Sequence, residues 1–381
     1  MSTREPLLLT PGPLTTSLAT KMAMLRDWGS WDQDFNALTA AICARLVRLI
    51  DDQSQSYACV PLQGSGTFAV EAAIGTLVPR EGKLLVLVNG AYGKRMARLT
   101  RIMGRACSVL DFGEIDAVDP RRVDQALADD AAVTHVGIVH CETSTGILNP
   151  LEAVAAAVAG RGRGLIVDAM SSLGALPLSV RTTPCEAVIA SSNKCLEGVP
   201  GMGFVLARQE ALAGAADRAH SLSMDLYDQW HYLKQTGQWR FTPPTHVVAA
   251  FAAALQQYDA AGGQPARLQR YRANCQALVQ GLQALGLRPL LAPAVQAPII
   301  VTVHAPQHPN WNFSRLYERV KARGVILYPG KLTTIETFRV GCIGAIEPPD
   351  LEAAVHAIGA GLAELQIPTG TPLAASNPTP S

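Results

Sequence analysis

Lys194 lies in the stretch ASSNKCLEGVPG, and Asp168 closes the apolar run LIVD. An acid at the end of one buried strand, with an amine just past the end of the next, suits one chemistry well. The amine can hold pyridoxal phosphate as a Schiff base, and the carboxylate can keep the pyridine nitrogen protonated, so that the ring becomes an electron sink. Small residues and turn formers (Ser191, Ser192, Asn193, Gly198, Pro200, Gly201) flank the lysine, as befits a positioned amine. Taken singly, each residue has a plainer role: an acid after a strand commonly caps a helix, and a loop lysine is commonly solvated.

The case rests on company. In QGSGTFAVEAA, Gly64, Ser65 and Gly66 form a tight turn after a strand and Thr67 opens a helix. Free backbone N–H groups, the positive helix end and two hydroxyls make that turn a cup for a phosphate. The same letters fit the dinucleotide fingerprint, which needs an acid ending the next strand. That strand ends in Asn89-Gly90, which weighs against a nicotinamide. NGAYGKR then places Tyr92 where an aromatic ring can stack on a planar ligand, and HCETSTGILNP presents the hydroxyls of Thr143 and Ser144. Glu142 reads as structural, bonding backbone groups of its loop. Phosphate cup, aromatic platform, hydroxyl, acid and amine thus occupy successive strand ends, which in an open α/β sheet converge on one crevice. Arg339, in FRVGCIG, offers the fork that matches a carboxylate or phosphonate.

The elements that must position these groups alternate. Strand-like runs (SYACVPL, LLVLVN, THVGIVH, LIVDAM, EAVIASS, GFVLA) are interleaved with helical periodicity at 67–77, GKRMARLTRIMG and LEAVAAAVAGRG. Short apolar runs between helices imply an α/β fold with a mostly parallel sheet buried on both faces. From residue 264 the pattern changes to α+β. The expected organisation is an extended segment over 1–20, a large domain over 21–262, a small domain over 263–366 and a disordered tail over 367–381. The chain has 381 residues, 48% of them hydrophobic, and a formal net charge of +1, which argues against nucleic-acid binding. Its N-terminal apolar stretch is too short for a secretory signal, and no run approaches the ~18 residues of a membrane span. Eight scattered cysteines without CxxC read as reduced thiols of a cytoplasmic enzyme, and no histidine spacing suggests a metal.

LLLTPGPLTTS, WDQDFN, LQGSGTFAVEA, ETSTGILNP, VDAMSSLG, SSNKCLEGVPG, WRFTPPTH and FRVGCIG, in this order from Leu7 to about Leu365, resemble the class V pyridoxal-phosphate aminotransferases of fold type I. TPGP, the cup and the acid–lysine pair belong to the wider class. WDQDFN, SSNKCLEGVPG and WRFTPPTH are more particular to the 2-aminoethylphosphonate–pyruvate aminotransferases. The resemblance implies a seven-stranded large-domain sheet, pyridoxal 5'-phosphate on Lys194, and Asp168 against the ring nitrogen. It implies Tyr92 over the ring, Thr143 on the phenolic oxygen, and Ser65, Gly66 and Thr67 on the phosphate with Ser192 nearby. Thr242, or alternatively Thr245, would reach the phosphate of a neighbouring subunit, which makes the unit a homodimer with shared sites. Arg339 would bind the acid group of either substrate, 2-aminoethylphosphonate or pyruvate, and Thr15 and Thr16 would line the mouth. Alanine– or serine–glyoxylate aminotransferases share the general motifs but not the particular ones. A cysteine desulfurase needs a mobile-loop thiol and usually a histidine before the lysine, where this chain has Asn193. A regulatory protein that binds the cofactor without catalysis has no need of the intact lysine, acid and arginine.

Overall fold

Along Lys83–Val88, Leu84, Val86 and Val88 enter one core while Leu85 and Leu87 enter another. Side chains alternate across a strand, so an unbroken apolar run must be covered on both sides. The first core takes helices Gly66–Leu77 and Ala91–Ile102. The second takes Gln33–Arg48, Leu151–Gly160 and Thr245–Ala260. The computed structural model describes residues 5–370, so the tail expected from residue 367 lies, from 371 onward, outside the described residues.

Seven strands form the central sheet: β1 (Tyr57–Gln63), β2 (Lys83–Val88), β3 (Ala106–Asp111), β4 (Val133–Val139), β5 (Gly164–Asp168), β6 (Ala187–Ser191) and β7 (Met202–Arg208). Their order is β1-β7-β6-β5-β4-β2-β3. Only β7 runs against its neighbours. The carboxyl ends of β1, β2, β4, β5 and β6 therefore share one edge. A second unit holds a three-stranded antiparallel sheet of Ile300–His304, Thr337–Gly341 and Tyr328–Pro329. Helices Gly263–Ala284, Phe313–Lys321 and Pro348–Glu364 share its core, where Leu278, Val303, Leu316, Val340 and Ile358 are fully buried. Leu14, Cys195, Leu268, Tyr271 and Ile343 form an apolar seam that draws on both units.

Three features depart from the sequence expectations. Residues 1–20 are not simply extended: Leu7–Leu8 pairs in parallel with Val325–Ile326, and a helix capped by Ser17 starts at Leu18. That segment thus belongs to the second unit's packing, where Leu9 is fully buried. The sequence reading also passed over β3 and the helix Pro120–Asp129. β3 is an edge strand with polar residues interleaved and much of it open, so it lacks the apolar run that marks its neighbours. Among the described residues no helix is long and apolar enough to cross a membrane, and no cluster of His, Cys, Asp and Glu is set to hold a metal ion.

Candidate active site

β1 ends at Gln63, and Gly64 turns the chain at φ +117°, a value side chains disfavour. Ser65 then occupies the cap position of helix Gly66–Leu77 without spending its hydroxyl on a cap bond. The first N–H groups of a helix have no intrahelical acceptor and carry the positive end of its dipole. Ser65, Gly66 and Thr67 line a cavity of about 200 Å³. At Gly66 a Cβ would lie 2.3 Å from Met170 Sδ, so any larger residue would displace the Met170 side chain from the cavity wall. Arg95 also lines the cavity and donates from Nη1 to Thr67 Oγ1 at 3.1 Å, adding a cation to the same end.

The next strand end is held by a buried acid. Glu142 Oε2 accepts from Tyr92 N at 3.0 Å and Gly93 N at 3.3 Å, at the start of helix Ala91–Ile102. Its Oε1 accepts from Ser144 N at 3.1 Å and Ser144 Oγ at 2.6 Å. The Ser144 hydroxyl also accepts from Ala91 N at 3.2 Å. Glu142 is thus a structural anion opposite a helix dipole, and Ser144 serves it rather than a ligand. Tyr92 and Thr143 remain on the cavity wall.

Asp168 and Lys194 face the same cavity. Burial pushes the Asp168 carboxyl up to about 6, opposed by the Met170 N–H that donates to Oδ1 at 2.9 Å; Glu142 adds to the rise, while Lys194 and Arg95 oppose it. Burial pulls the Lys194 ammonium down to about 8, and the nearby Lys331 and Arg339 charges push the same way. Both groups are therefore moved toward neutrality by removal from water. Lys194 Nζ donates to Pro11 O at 2.6 Å, which brings the TPGP segment into the site. Cys195 is fully buried, its Sγ donates to Ser171 O at 3.3 Å, and burial holds its thiol up at about 12, so it packs rather than attacks.

Arg339 is fully buried on Thr337–Gly341. Its Nε donates to Pro329 O at 2.9 Å and its Nη1 to Thr143 O at 2.7 Å, while Nη2 is buried without a partner. The bidentate fork read from sequence is thus partly spent on two carbonyls that fix the guanidinium. Nη2 is left as the free arm of the guanidinium, and a buried donor without a partner is costly.

Two sequence-derived placements differ from the structure. Ser192 points away from the cavity: its hydroxyl donates to Val199 O at 2.6 Å, and Ser191 lines the wall instead. Ser191 ends its strand and Ser192 opens the turn after it, where its N–H donates to Met202 O at 3.0 Å and its hydroxyl is drawn to the Val199 carbonyl. Thr15 does not line the cavity either, since its hydroxyl accepts from Leu8 N at 2.8 Å and so ties its own segment together. Thr16 is likewise absent from the lining, and Gly12 takes the place of both. Thr242, expected at a neighbouring subunit's phosphate, lies in a separate surface groove with Trp31, Arg240 and Phe241, and Thr245, the alternative, opens helix Thr245–Ala260. Met170, Arg95 and Lys331 were not anticipated. Met170 follows Asp168 by two residues, and Arg95 follows Tyr92 by nearly one helical turn, which is the signal that could have found them.

A seven-stranded, mostly parallel sheet with an acid–lysine pair at its carboxyl edge, joined to a smaller α+β unit, is the architecture of the fold type I pyridoxal-phosphate enzymes. The class-V aminotransferase model matches residues 39–334, and the chain belongs to that family. A 2-aminoethylphosphonate–pyruvate transaminase of Pseudomonas putida is 60% identical over 362 residues, covering 95% of this chain and 98% of that protein. The protein of the same name from Pseudomonas aeruginosa is 58% identical over 369 residues, with coverages of 96% and 99%. Among solved structures, pyridoxamine–pyruvate aminotransferase of Mesorhizobium loti superposes with a TM-score of 0.87 at 23% identity over 97% of this chain and 95% of that one. Alanine–glyoxylate aminotransferase of Nostoc gives 0.88 at 23% identity, over 95% and 96%. At that identity these two speak to the fold alone.

Proposed function

We propose that this chain converts 2-aminoethylphosphonate and pyruvate to phosphonoacetaldehyde and L-alanine by a two-stage transamination on pyridoxal phosphate. One observation carries the reading: a buried amine, Lys194, shares a cavity with a buried acid and lies close to a buried guanidinium with an unfilled donor. The choice of substrates follows the transaminases it matches over nearly their whole length.

The residues present fit the cofactor. Ser65, Gly66 and Thr67 would hold its phosphate with uncommitted N–H and hydroxyl donors. Asp168 would face the ring nitrogen, Tyr92 the ring and Thr143 the phenolic oxygen. Bound there, pyridoxal phosphate supplies an electron sink for the pair left when a C–H bond breaks beside the amine. Lys194 Nζ takes that proton and hands it on. Its pKa of about 8 leaves a sizeable neutral fraction near physiological pH, as a general base requires. Asp168 keeps the nitrogen's proton in place by presenting a full negative charge. Arg339 presents Nη2 to the phosphonate of the first substrate and the carboxylate of the second. The free thiols, eight in all, agree with a reducing cytoplasm.

Arg339→Lys is expected to weaken both half-reactions. Lysine keeps the charge but cannot bond Pro329 O and Thr143 O while still offering a donor to the anion. A lost charge-assisted bond is worth roughly 1.5–3 kcal/mol, about a tenfold to hundredfold rise in KM for each substrate. Steady-state kinetics with both substrates varied would show this, and a defect in only one would mean the two anions are read by different residues.

The working unit is a homodimer in which Thr242 of the partner subunit completes the phosphate site. In support, the Thr242 groove is rimmed by exposed Trp31 and Phe241, apolar surface that a second copy would cover. Thr242→Ala is expected to weaken cofactor binding. Mixing that variant with inactive Lys194→Ala should recover parental affinity at one site per hybrid dimer, because the Lys194-bearing subunit then receives an intact Thr242. Titration of the mixture with cofactor that shows only weak sites would exclude the shared arrangement.

A further inference from the structure

Resting on the proposed function, we infer that Lys331 selects the phosphonate substrate: its ammonium, on a loop beside Tyr92 of the cavity wall, supplies the second positive charge that a dianionic phosphonate needs and a carboxylate does not. Arg339 brings one charge, and two of its nitrogens are already committed to Pro329 O and Thr143 O. A phosphonate near neutral pH carries close to two negative charges, whereas pyruvate carries one. One cation can balance the second substrate but leaves the first under-neutralised in a site that burial has made poor in water.

Lys331 is placed to close that gap. Its Nζ lies 5.1 Å from the centroid of the Tyr92 ring, which forms part of the cavity wall. Among the described residues no carboxylate is paired with it. Burial and the neighbouring charges of Arg339 and Arg95 lower its pKa, and it in turn helps to lower that of Lys194, so it shares one electrostatic site with all three. Arg95 stands over the same Tyr92 ring, 4.9 Å from its centroid, and donates to Thr67 Oγ1, so its charge serves the end of the cavity at the phosphate cup. Glu142 attracts both Lys331 and Arg339, yet its two oxygens bond N–H and hydroxyl donors and it is paired with neither cation.

The loop is built to hold the lysine there. Gly330 N donates to Thr337 O at 3.1 Å and pins the base of the loop. A Cβ at Gly330 would lie 2.3 Å from that same oxygen, so the base tolerates only glycine. At its tip, Thr333 donates from N at 2.9 Å and from Oγ1 at 3.0 Å to Glu114, which also accepts from Lys94 Nζ at 3.0 Å. The loop thereby reaches from the smaller unit to the large sheet's edge and passes Tyr92 on the way. A merely solvated lysine would need neither anchor.

The test is a comparison of substrates in holoenzyme. Lys331→Gln is expected to raise KM for 2-aminoethylphosphonate about tenfold more than KM for pyruvate, and Lys331→Arg to restore most of the difference. The competitive inhibitors ethylphosphonate and propionate, near-isosteres that differ in charge, should show the same split, widening as pH rises through the phosphonate's second ionisation. Equal loss for both substrates, or an unchanged KM for the phosphonate, overturns the role of Lys331 while leaving the reaction assignment standing. No turnover of 2-aminoethylphosphonate by the parent chain, with alanine and pyruvate still accepted, overturns the assignment and the inference together.

Discussion

Lys194→Ala should abolish steady turnover, by about a thousandfold or more, and remove the visible absorbance that depends on a lysine–cofactor bond. General-base removal alone costs roughly 10²–10⁴-fold, and the same nitrogen is also the cofactor's point of attachment. The fold should survive. Deletion of the side chain loses packing, but it also deletes an ammonium that burial disfavours, with its pKa drawn from 10.5 to about 8. Because the folded value is depressed, the unfolded chain binds more protons between those two pH values, and the parent gains stability as pH rises through that window. The variant should lack this rise. Parallel thermal melts of the cofactor-free parent and variant at pH 7.5 and pH 10 would show it, alongside a spectrum and a turnover assay of the loaded proteins. Sustained turnover, or an unaltered visible band, would mean that another lysine does the work.

Asp168→Asn should separate activity from stability. Activity is expected to fall by orders of magnitude, since an uncharged amide cannot hold the ring nitrogen's proton, and each ~1.4 kcal/mol lost at the transition state is tenfold in rate. The cofactor-free protein should gain. Its carboxyl is raised from 3.8 to about 6, mainly by burial. A raised folded value means the charged form costs stability at pH above about 6, and costs nothing below the unfolded value of 3.8. At 1.36 kcal/mol per pKa unit, the relief is on the order of 3 kcal/mol at pH 8 and vanishes near pH 4. Asparagine can still accept from Met170 N, so the local turn is kept. Melting curves of the cofactor-free pair across pH 4–8 would test this. Parity in activity within a few-fold would recast Asp168 as a turn-forming residue.

The residues that the sequence made legible are those whose role follows from local chain geometry. Gly66, Tyr92, Asp168 and Lys194 each stand at the end of an apolar run, and parallel strands bring such ends to one edge whatever the loops do. Glu142 was readable as structural for the same reason. What escaped depends on contacts made far along the chain or on the residue at which a turn begins. Pro11 and Gly12 touch Lys194 only because Leu7–Leu8 docks beside Val325–Ile326. Ser191 and Ser192 are identical in type, and only the turn that begins after Ser191 decides which one faces the cavity. Arg339 was found, but not the commitment of two of its nitrogens, since Thr143 O belongs to a loop nearly two hundred residues earlier. The edge strand β3 was missed because half-open strands need no continuous apolar signature.

The docking of Leu7–Leu8 against Val325–Ile326 also sets a timetable for the nascent polypeptide. A segment that leaves the ribosome early must wait for one made roughly 300 residues later, on the order of 15–60 s at typical synthesis rates. The phosphate cup, Asp168 and Lys194 are all translated in the interval, so the central sheet can assemble around an attachment lysine that still lacks its Pro11 acceptor. Arg339 emerges only after the docking strand. A message truncated before that point would carry the Asp168–Lys194 pair without the guanidinium, so the two halves of the site are made seconds apart.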